Sequence, residues 1–366
     1  MGTQVPVARR NILAERRRLA IAVLGAGLAV ALILLLEGLW SGLLTQISAY
    51  PDHVRATFFV RQPGAKTLSE GVVPVSAAGR VRAVPGVAAA GPVLTRWVVL
   101  DLHGRKQVVT VVGFTPGSLG GPWALAAGRT VGADGEVVID RTLAAEHAIT
   151  LGGTLGVTGR SFRVVGLSSG TRSFMGTGYL FMSLHSAQAM FGAENTATFV
   201  LVRAAGPVAV RAAIAGRTGL SVASPDLVAA AEQNLYAGIM GKIFNLMVVI
   251  AFAAGTLIVA LTVYSAISDR LGEYGIAKAL GARRGRLFRI VAGQTTVLSG
   301  LALIAGLLLY LGGSRLITAL WPQFQIELTF RALGVVTVAA LLMGMLAALV
   351  PTRRVARLDP ASVYRR

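Results

Sequence analysis

Residues 268–289 read SDRLGEYGIAKALGARRGRLFR, a short basic segment between two runs without a charged residue, Ile243–Ile267 before it and Ile290–Gly313 after it. About 20 apolar residues cross a hydrocarbon core of roughly 30 Å, so each run is long enough to span a bilayer. The segment between them is then a tight turn on one membrane face. Its six basic residues, Arg270, Lys278, Arg283, Arg284, Arg286 and Arg289, put that face in the cytoplasm, because Lys and Arg accumulate in cytoplasmic loops.

Two further spans lie outside this pair. The first runs from about Leu19 to Leu43, after Arg9, Arg10, Arg16, Arg17 and Arg18; the fourth runs from about Ala332 to Val350 and stops at Pro351. The first apolar run is too long for a cleavable signal peptide, and no small-residue cleavage site precedes a polar start, so a retained span is expected. The expected division is a basic cytoplasmic segment over 1–18, spans over 19–44, 241–267, 290–313 and 332–350, and a basic turn over 268–289. An outer domain covers 45–240, a short outer loop covers 314–331 and a cytoplasmic tail covers 351–366. Both termini then face the cytoplasm. The fold class is four transmembrane α-helices in a 1+3 arrangement, with a large α+β extracytoplasmic domain between the first and second.

Composition agrees. Apolar residues make up 54% and charged residues 14%, and the mean hydropathy is +0.67, which excludes an ordinary soluble domain. The net charge of +19 would suggest nucleic acid in a soluble protein. Here 16 Lys/Arg fall in the 56 residues of the three predicted cytoplasmic segments, against 17 in the 197 residues from 46 to 242. The charge therefore marks topology and favours anionic lipid headgroups, and no nucleic-acid partner is expected. There is no cysteine, hence no disulfide framework and no thiolate chemistry.

The outer segment carries turn signals between β-rich runs every 8–12 residues, as a folded domain does. Val93–Leu102 and Lys106–Gly113 predict a hairpin around His103-Gly104. Thr154–Val157 and Ser161–Leu167 predict a second, turning at Gly159-Arg160. Strands are also expected over Glu136–Ile139, Tyr179–Met182 and Thr198–Val202. Asp140 reads as the N-cap of a helix through His147, and Ser183 as the start of one through about Phe191. Pro207–Ala215 is helical, with its proline at the first position. Leu227–Asn245 continues as helix into the second span.

These features together resemble the MacB/FtsX-type permeases of ABC transporters, the group that includes the DevC-like and haem-exporter permeases. The layout of one span, a large outer domain and three clustered spans is that family's. Arg270-x-x-Glu273-x-Gly275-x-x-x-Ala279-Leu280-Gly281-Ala282 is similar to its signature after the second span. Pro351, Arg353, Arg354, Asp359 and Pro360 are similar to its tail. In the outer domain Gly128-Arg129, Gly135-Glu136-Val137-Val138-Ile139-Asp140 and Phe162-Arg163-Val164-Val165-Gly166 are similar to recurring family phrases. The resemblance implies that the basic turn is a coupling helix seated in a groove of a cytoplasmic ATPase. Read as residues alone, the segment is equally a solvated turn that only fixes topology. Glu273 follows Arg270 by three residues, within ion-pair reach on a helix, and Gly275 and Gly281 permit close approach of a partner backbone.

No G-x-x-x-x-G-K-[ST] phosphate loop occurs; the nearest string, Gly238 to Lys242, lacks both the glycine spacing and the hydroxyl. ATP and Mg are therefore expected on a separate ATPase subunit, with no cofactor bound by this chain. The histidines (His53, His103, His147 and His185) are scattered without metal-ligand spacing, and no nucleophile elbow is present. A non-catalytic membrane subunit is the expectation.

One ionisable residue lies inside a span. Glu37 sits in the outer part of the first, with Trp40 one turn later; Tyr236, Met240, Phe244 and Met247 open the second. An intramembrane carboxylate beside Met and aromatic side chains suits an amphipathic ligand at the outer leaflet. The resemblance adds haem as a substrate. The plainer readings are that Glu37 is hydrated at the headgroups or pairs with Lys242. Gly25 and Ala29 on the first span offer a small-residue face for a dimer, and a homodimer of permease copies is expected. The function so read is ATP-driven export or outer-leaflet extrusion of a lipophilic small molecule, haem or peptide across a bacterial cytoplasmic membrane. The alternatives are an FtsX-like subunit that activates an envelope partner without moving a substrate, and a plain membrane-anchored binding protein.

Overall fold

A computed structural model describes residues 16–102, 104–171, 178–268, 284–321 and 324–356. The chain divides into two compact units. One gathers the span segments, residues 1–41, 241–321 and 326–366; the other is a sheet domain of residues 42–240 with 322–325.

The described residues of the sheet domain hold twelve strands: β1 Phe58–Arg61, β2 Val73–Pro74, β3 Val87–Leu102, β4 Arg105–Phe114, β5 Leu125–Gly128, β6 Glu136–Asp140, β7 Thr154–Val157, β8 Arg160–Ser168, β9 Gly178–Ser183, β10 Thr196–Ala197, β11 Phe199–Ala204 and β12 Ser221–Ala223. Ten of them form one mixed sheet in the order β12-β1-β11-β3-β4-β9-β6-β8-β5, with β7 paired to β8; β10 and β2 form a separate ribbon. The β3–β4 hairpin closes at Leu102↔Arg105. The β7–β8 hairpin closes at Val157↔Arg160, so its two-residue turn is Thr158-Gly159, one position earlier than expected. Both turn residues have positive φ, 47° and 78°, the mirror-image turn whose twist matches a hairpin. Two pairings are parallel, β4 with β9 and β6 with β8.

Period-2 alternation sends neighbouring side chains to opposite faces, and here both faces are covered. Leu94, Val111, Val137, Ile139, Leu180 and Met182 share one core with Leu143 of α3 (Arg141–Glu146) and Ala187 of α4 (Leu184–Phe191). Their neighbours Val93, Val112, Val138, Tyr179 and Phe181 share another with Tyr50 of α1 (Arg16–His53) and Val228 of α6 (Pro225–Ser268). A third core joins β1, β11 and β12 to α2 (Ser76–Arg82) and α5 (Pro207–Thr218). The expected caps are in place. Asp140 Oδ1 accepts from the Thr142 and Leu143 amides at 2.9 and 3.2 Å, and Ser183 Oγ accepts from the Ser186 amide at 3.0 Å.

Among the described residues four helices are long and apolar enough to cross a membrane: α1 over Leu19–His53, α6 over Pro225–Ser265, α7 (Arg284–Leu320) over Gly293–Leu320 and α8 (Phe330–Ala356) over Phe330–Ala347. At 1.5 Å per residue, the 44 residues of α6 run roughly 66 Å, about twice the hydrocarbon core. Only the part after Met240 belongs to the membrane unit; Pro225–Met240 is read as lying outside the bilayer. Within the membrane unit Ala22 and Ala26 of α1 pack with Val259 and Val263 of α6, Leu298 and Ala302 of α7 and Ala347 of α8. A second cluster joins Val30, Ile33 and Leu34 to Ala251, Tyr310, Val336 and Met343.

Small residues set these contacts. A Cβ at Gly306 would lie 2.7 Å from Val30 Cβ and 2.9 Å from the Gly27 carbonyl oxygen; one at Gly255 would lie 2.8 Å from Ala29 Cβ, and one at Gly25 3.0 Å from Ile258 Cγ2. The Gly25–Ala29 face expected to serve a dimer is therefore occupied inside the chain by α6. Small side chains let two backbones approach closely, and the second span satisfies that preference first.

Candidate functional site

Arg270, Glu273, Gly275, Ala279, Leu280, Gly281 and Ala282, the expected coupling residues, lie outside the described residues. The six candidates for an outer-leaflet site divide between the two units. Glu37, Trp40, Phe244 and Met247 belong to the membrane unit; Tyr236 and Met240 belong to the sheet domain. Trp40 and Phe244 meet, with ring centroids 5.0 Å apart. Gly241, on the same helix as Phe244, faces the Trp40 ring, and a Cβ there would stand in ordinary contact with it at 3.7 Å. Met247 is 48% exposed. Glu37 is half-buried, and among the described residues no hydrogen bond or ion pair engages it, Lys242 included.

Tyr236 turns to the sheet instead. Its ring lies 6.4 Å from that of Trp97 on β3, and the two border a cavity of about 30 Å³ inside the sheet domain. Tyr50 and Tyr179, 5.9 Å apart, supply two more aromatic walls. The Tyr50 hydroxyl donates to the Gly120 carbonyl at 3.1 Å, so its ring is what it offers the cavity.

The polar element of this cavity is Glu232, which sequence reading missed. It is 6% exposed, one helical turn before Tyr236 and one after Val228 on the covered face of α6. Its carboxylate accepts a hydrogen bond from the Leu68 amide. The Leu68 carbonyl in turn accepts from the Thr95 hydroxyl, so both backbone groups of Leu68 are held over the cavity. Burial raises the Glu232 carboxyl to about 7; the Leu68 amide and the Arg61 charge oppose the rise, and Glu70 adds to it. Arg61, at the end of β1, is near enough to be felt but among the described residues forms no ion pair with Glu232, and its buried Nη1 has no hydrogen-bond partner. The signal in the sequence was the spacing Val228, Glu232, Tyr236, an acid on the apolar stripe of a helix.

A second, more open cleft of about 340 Å³ lies elsewhere in the sheet domain, between the end of α1 and the Gly117–Trp123 loop. His53 stacks on Trp123 there at 5.3 Å, and Arg55 and Arg203 make its lining basic. Among the described residues no group of three or more His, Cys, Asp or Glu could hold a metal ion.

Comparison with known proteins adds two family matches. The MacB-like periplasmic core domain matches residues 19–216, and the FtsX-like permease C-terminal domain matches residues 245–360. An uncharacterized ABC transporter permease of Mycobacterium tuberculosis is 26% identical over 361 residues, 98% of either chain. A macrolide export ATP-binding/permease protein of Bradyrhizobium diazoefficiens is 30% identical over 112 residues, 31% of this chain and 17% of that one. The crystal structure of the periplasmic region of MacB from Actinobacillus actinomycetemcomitans aligns with 48% of this chain and 92% of its own, at 13% identity and a TM-score of 0.38.

Proposed function

The chain belongs to the MacB/FtsX-like family of ABC transporter permeases, and from that premise we propose that it couples ATP hydrolysis by a separate ATPase subunit to export or outer-leaflet extrusion of a lipophilic small molecule, haem or peptide. It is a multi-pass membrane protein. The proposal places it in a bacterial inner membrane with both termini and the 268–289 segment cytoplasmic, and pairs it with a second copy of itself.

The observation that supports this reading best is the continuity of α6. One helix of 44 residues begins among residues of the sheet domain, continues through a span and ends where the basic segment begins. A push received at residues 270–282 is passed along a rigid element, since a helix keeps its backbone hydrogen bonds internal and transmits displacement along its axis. Glu37, Trp40, Phe244 and Met247 form the proposed ligand contact in the membrane unit. A half-buried carboxylate, a pair of rings in contact and an exposed thioether on α1 and α6 offer charge and polarizable surface to an amphipathic molecule.

The test is purification of the chain with its ATPase in lipid nanodiscs, followed by a search for lipophilic ligands that stimulate ATP hydrolysis. Stimulation by a ligand, lost in Glu37→Gln, supports the reading; an ATPase that never co-purifies overturns it. Orientation is tested by a Lys278→Cys variant, whose cysteine is the sole one in the chain. It should resist impermeant thiol reagents in intact cells, and labelling from outside contradicts the topology.

A further inference from the structure

We infer that the cavity between α6 and the sheet is a binding site for a compact ammonium group, held by the Glu232 carboxylate and the rings of Tyr50, Trp97, Tyr179 and Tyr236. It is separate from the proposed membrane ligand site and lies within the sheet domain.

The walls and the floor point to the same ligand chemistry. Ring faces carry negative quadrupole charge and attract a cation within about 6 Å. Here two aromatic pairs, Tyr50–Tyr179 and Trp97–Tyr236, border one space. The carboxylate beside them is buried, and among the described residues no cation reaches ion-pair distance. Glu70 and Arg61 act on it in opposite directions, and among the described residues neither forms an ion pair with it. A buried charge without a partner is costly, and a bound cation removes that cost. A buried neutral Glu232 would still accept from the Leu68 amide, which accounts for the carboxyl but not for the four rings that line the cavity beside it.

Size and access narrow the class. About 30 Å³ exceeds the roughly 10–15 Å³ needed for one water and suits a primary ammonium with a short stem. Trp97 is 55% exposed and forms the rim, while Tyr50 and Tyr179 are buried at the back. A longer amine can therefore enter head first and leave its tail at the Trp97 edge. The hydrogen bonds on Leu68 from both sides hold the covering loop in place without a ligand.

The experiment uses the full-length chain in nanodiscs and methylammonium as the probe, read by saturation-transfer NMR of its methyl protons. It needs no ATPase, so its failure and that of the transport reading are separate results. At about pH 8 the parent should bind methylammonium but not methanol, its neutral counterpart of similar size. Binding should fall at about pH 5.5, where Glu232 holds its proton. Glu232→Gln should weaken binding about tenfold or more, as losing a cation's charge partner implies. Trp97→Ala, at a position 55% exposed, should weaken it several-fold. Equal binding of methylammonium and methanol, unchanged binding by both variants, or no saturation transfer to the folded parent overturns the inference.

Discussion

Glu37 and Glu232 are two carboxylates on long helices, one in the membrane unit and one in the sheet domain, and their surroundings differ in kind. Glu37 is half-buried among helices whose outward faces are apolar, with Leu28 64% exposed on its own helix and Leu257 68% exposed on α6. Among the described residues nothing binds it. Glu232 is buried in the sheet domain, donated to by a loop amide and bordered by a cavity that four rings line. The membrane unit is made by subtraction, with glycines that remove side chains so that helices meet. The sheet domain is made by filling, with both faces of the strands covered by large residues. The proposed role of the first carboxylate rests on a ligand in the membrane, whereas the second is already shaped by burial and by the Leu68 amide.

The contrast breaks most severely at the helix contacts. Gly306→Leu would drive a side chain into Val30 and the Gly27 carbonyl, where backbone cannot yield. The loss expected is about 3 kcal/mol or more, the upper end for overpacking, with the membrane unit failing to assemble. Thermal unfolding in detergent checks it; a variant as stable as the parent would show that the helices are not held by this contact.

Next in size is the pH dependence of the sheet domain. Glu232 keeps its proton to about 7 in the folded protein, against an ordinary value of 4.5. The folded state thus binds more protons between those values, so stability falls as pH rises through that window and stays low above it. Glu232→Gln should stabilise by up to about 3 kcal/mol at about pH 8, and by little at about pH 4.5. Denaturant unfolding at the two pH values reads this directly. Equal effects at both would mean that the carboxyl is not buried in its charged form.

Much of this fold was legible in sequence. Span positions follow from charge-free runs, and β3–β4 from alternation around Gly104. The caps Asp140 and Ser183 were readable because a side-chain oxygen three residues before a buried stripe has one obvious use. The rest lies in contacts that local pattern does not encode. β1 and β12 are four and three residues long, and β5 is fully exposed. The parallel pairs β4–β9 and β6–β8 join segments separated in sequence, which no turn announces. Glu232 was missed for the same reason, as its hydrogen-bond partner Leu68 lies 164 residues away. Glu37 drew attention because a lone charge in an apolar run is conspicuous, and the packing of α6 on Gly25 and Ala29 was not legible because sequence does not say which neighbour a small face receives.

The smallest structural effect is expected at Glu37. Glu37→Gln preserves size and disturbs no hydrogen bond among the described residues, so stability should change by less than about 0.5 kcal/mol. Ligand-stimulated ATP hydrolysis should nevertheless disappear while basal hydrolysis persists. Lys242→Met should leave both intact, since Lys242 does not pair with Glu37. If Lys242→Met abolishes stimulation as well, the two act as a pair in the working protein, and the contrast between a ligand-dependent and a protein-defined carboxylate fails.

The central claim, that this chain passes the energy of a separate ATPase through residues 270–282, is tested most directly by ATP hydrolysis and association in the co-purified complex. Glu273→Lys reverses a charge and Gly281→Val adds bulk, in a segment that the proposal seats against the partner. Each should insert in the membrane like the parent, lose at least about tenfold in ATPase association, equivalent to about 1.4 kcal/mol, and lose ligand-stimulated hydrolysis. Full association and full stimulation in both variants would contradict the account and leave the basic segment as a topology signal alone.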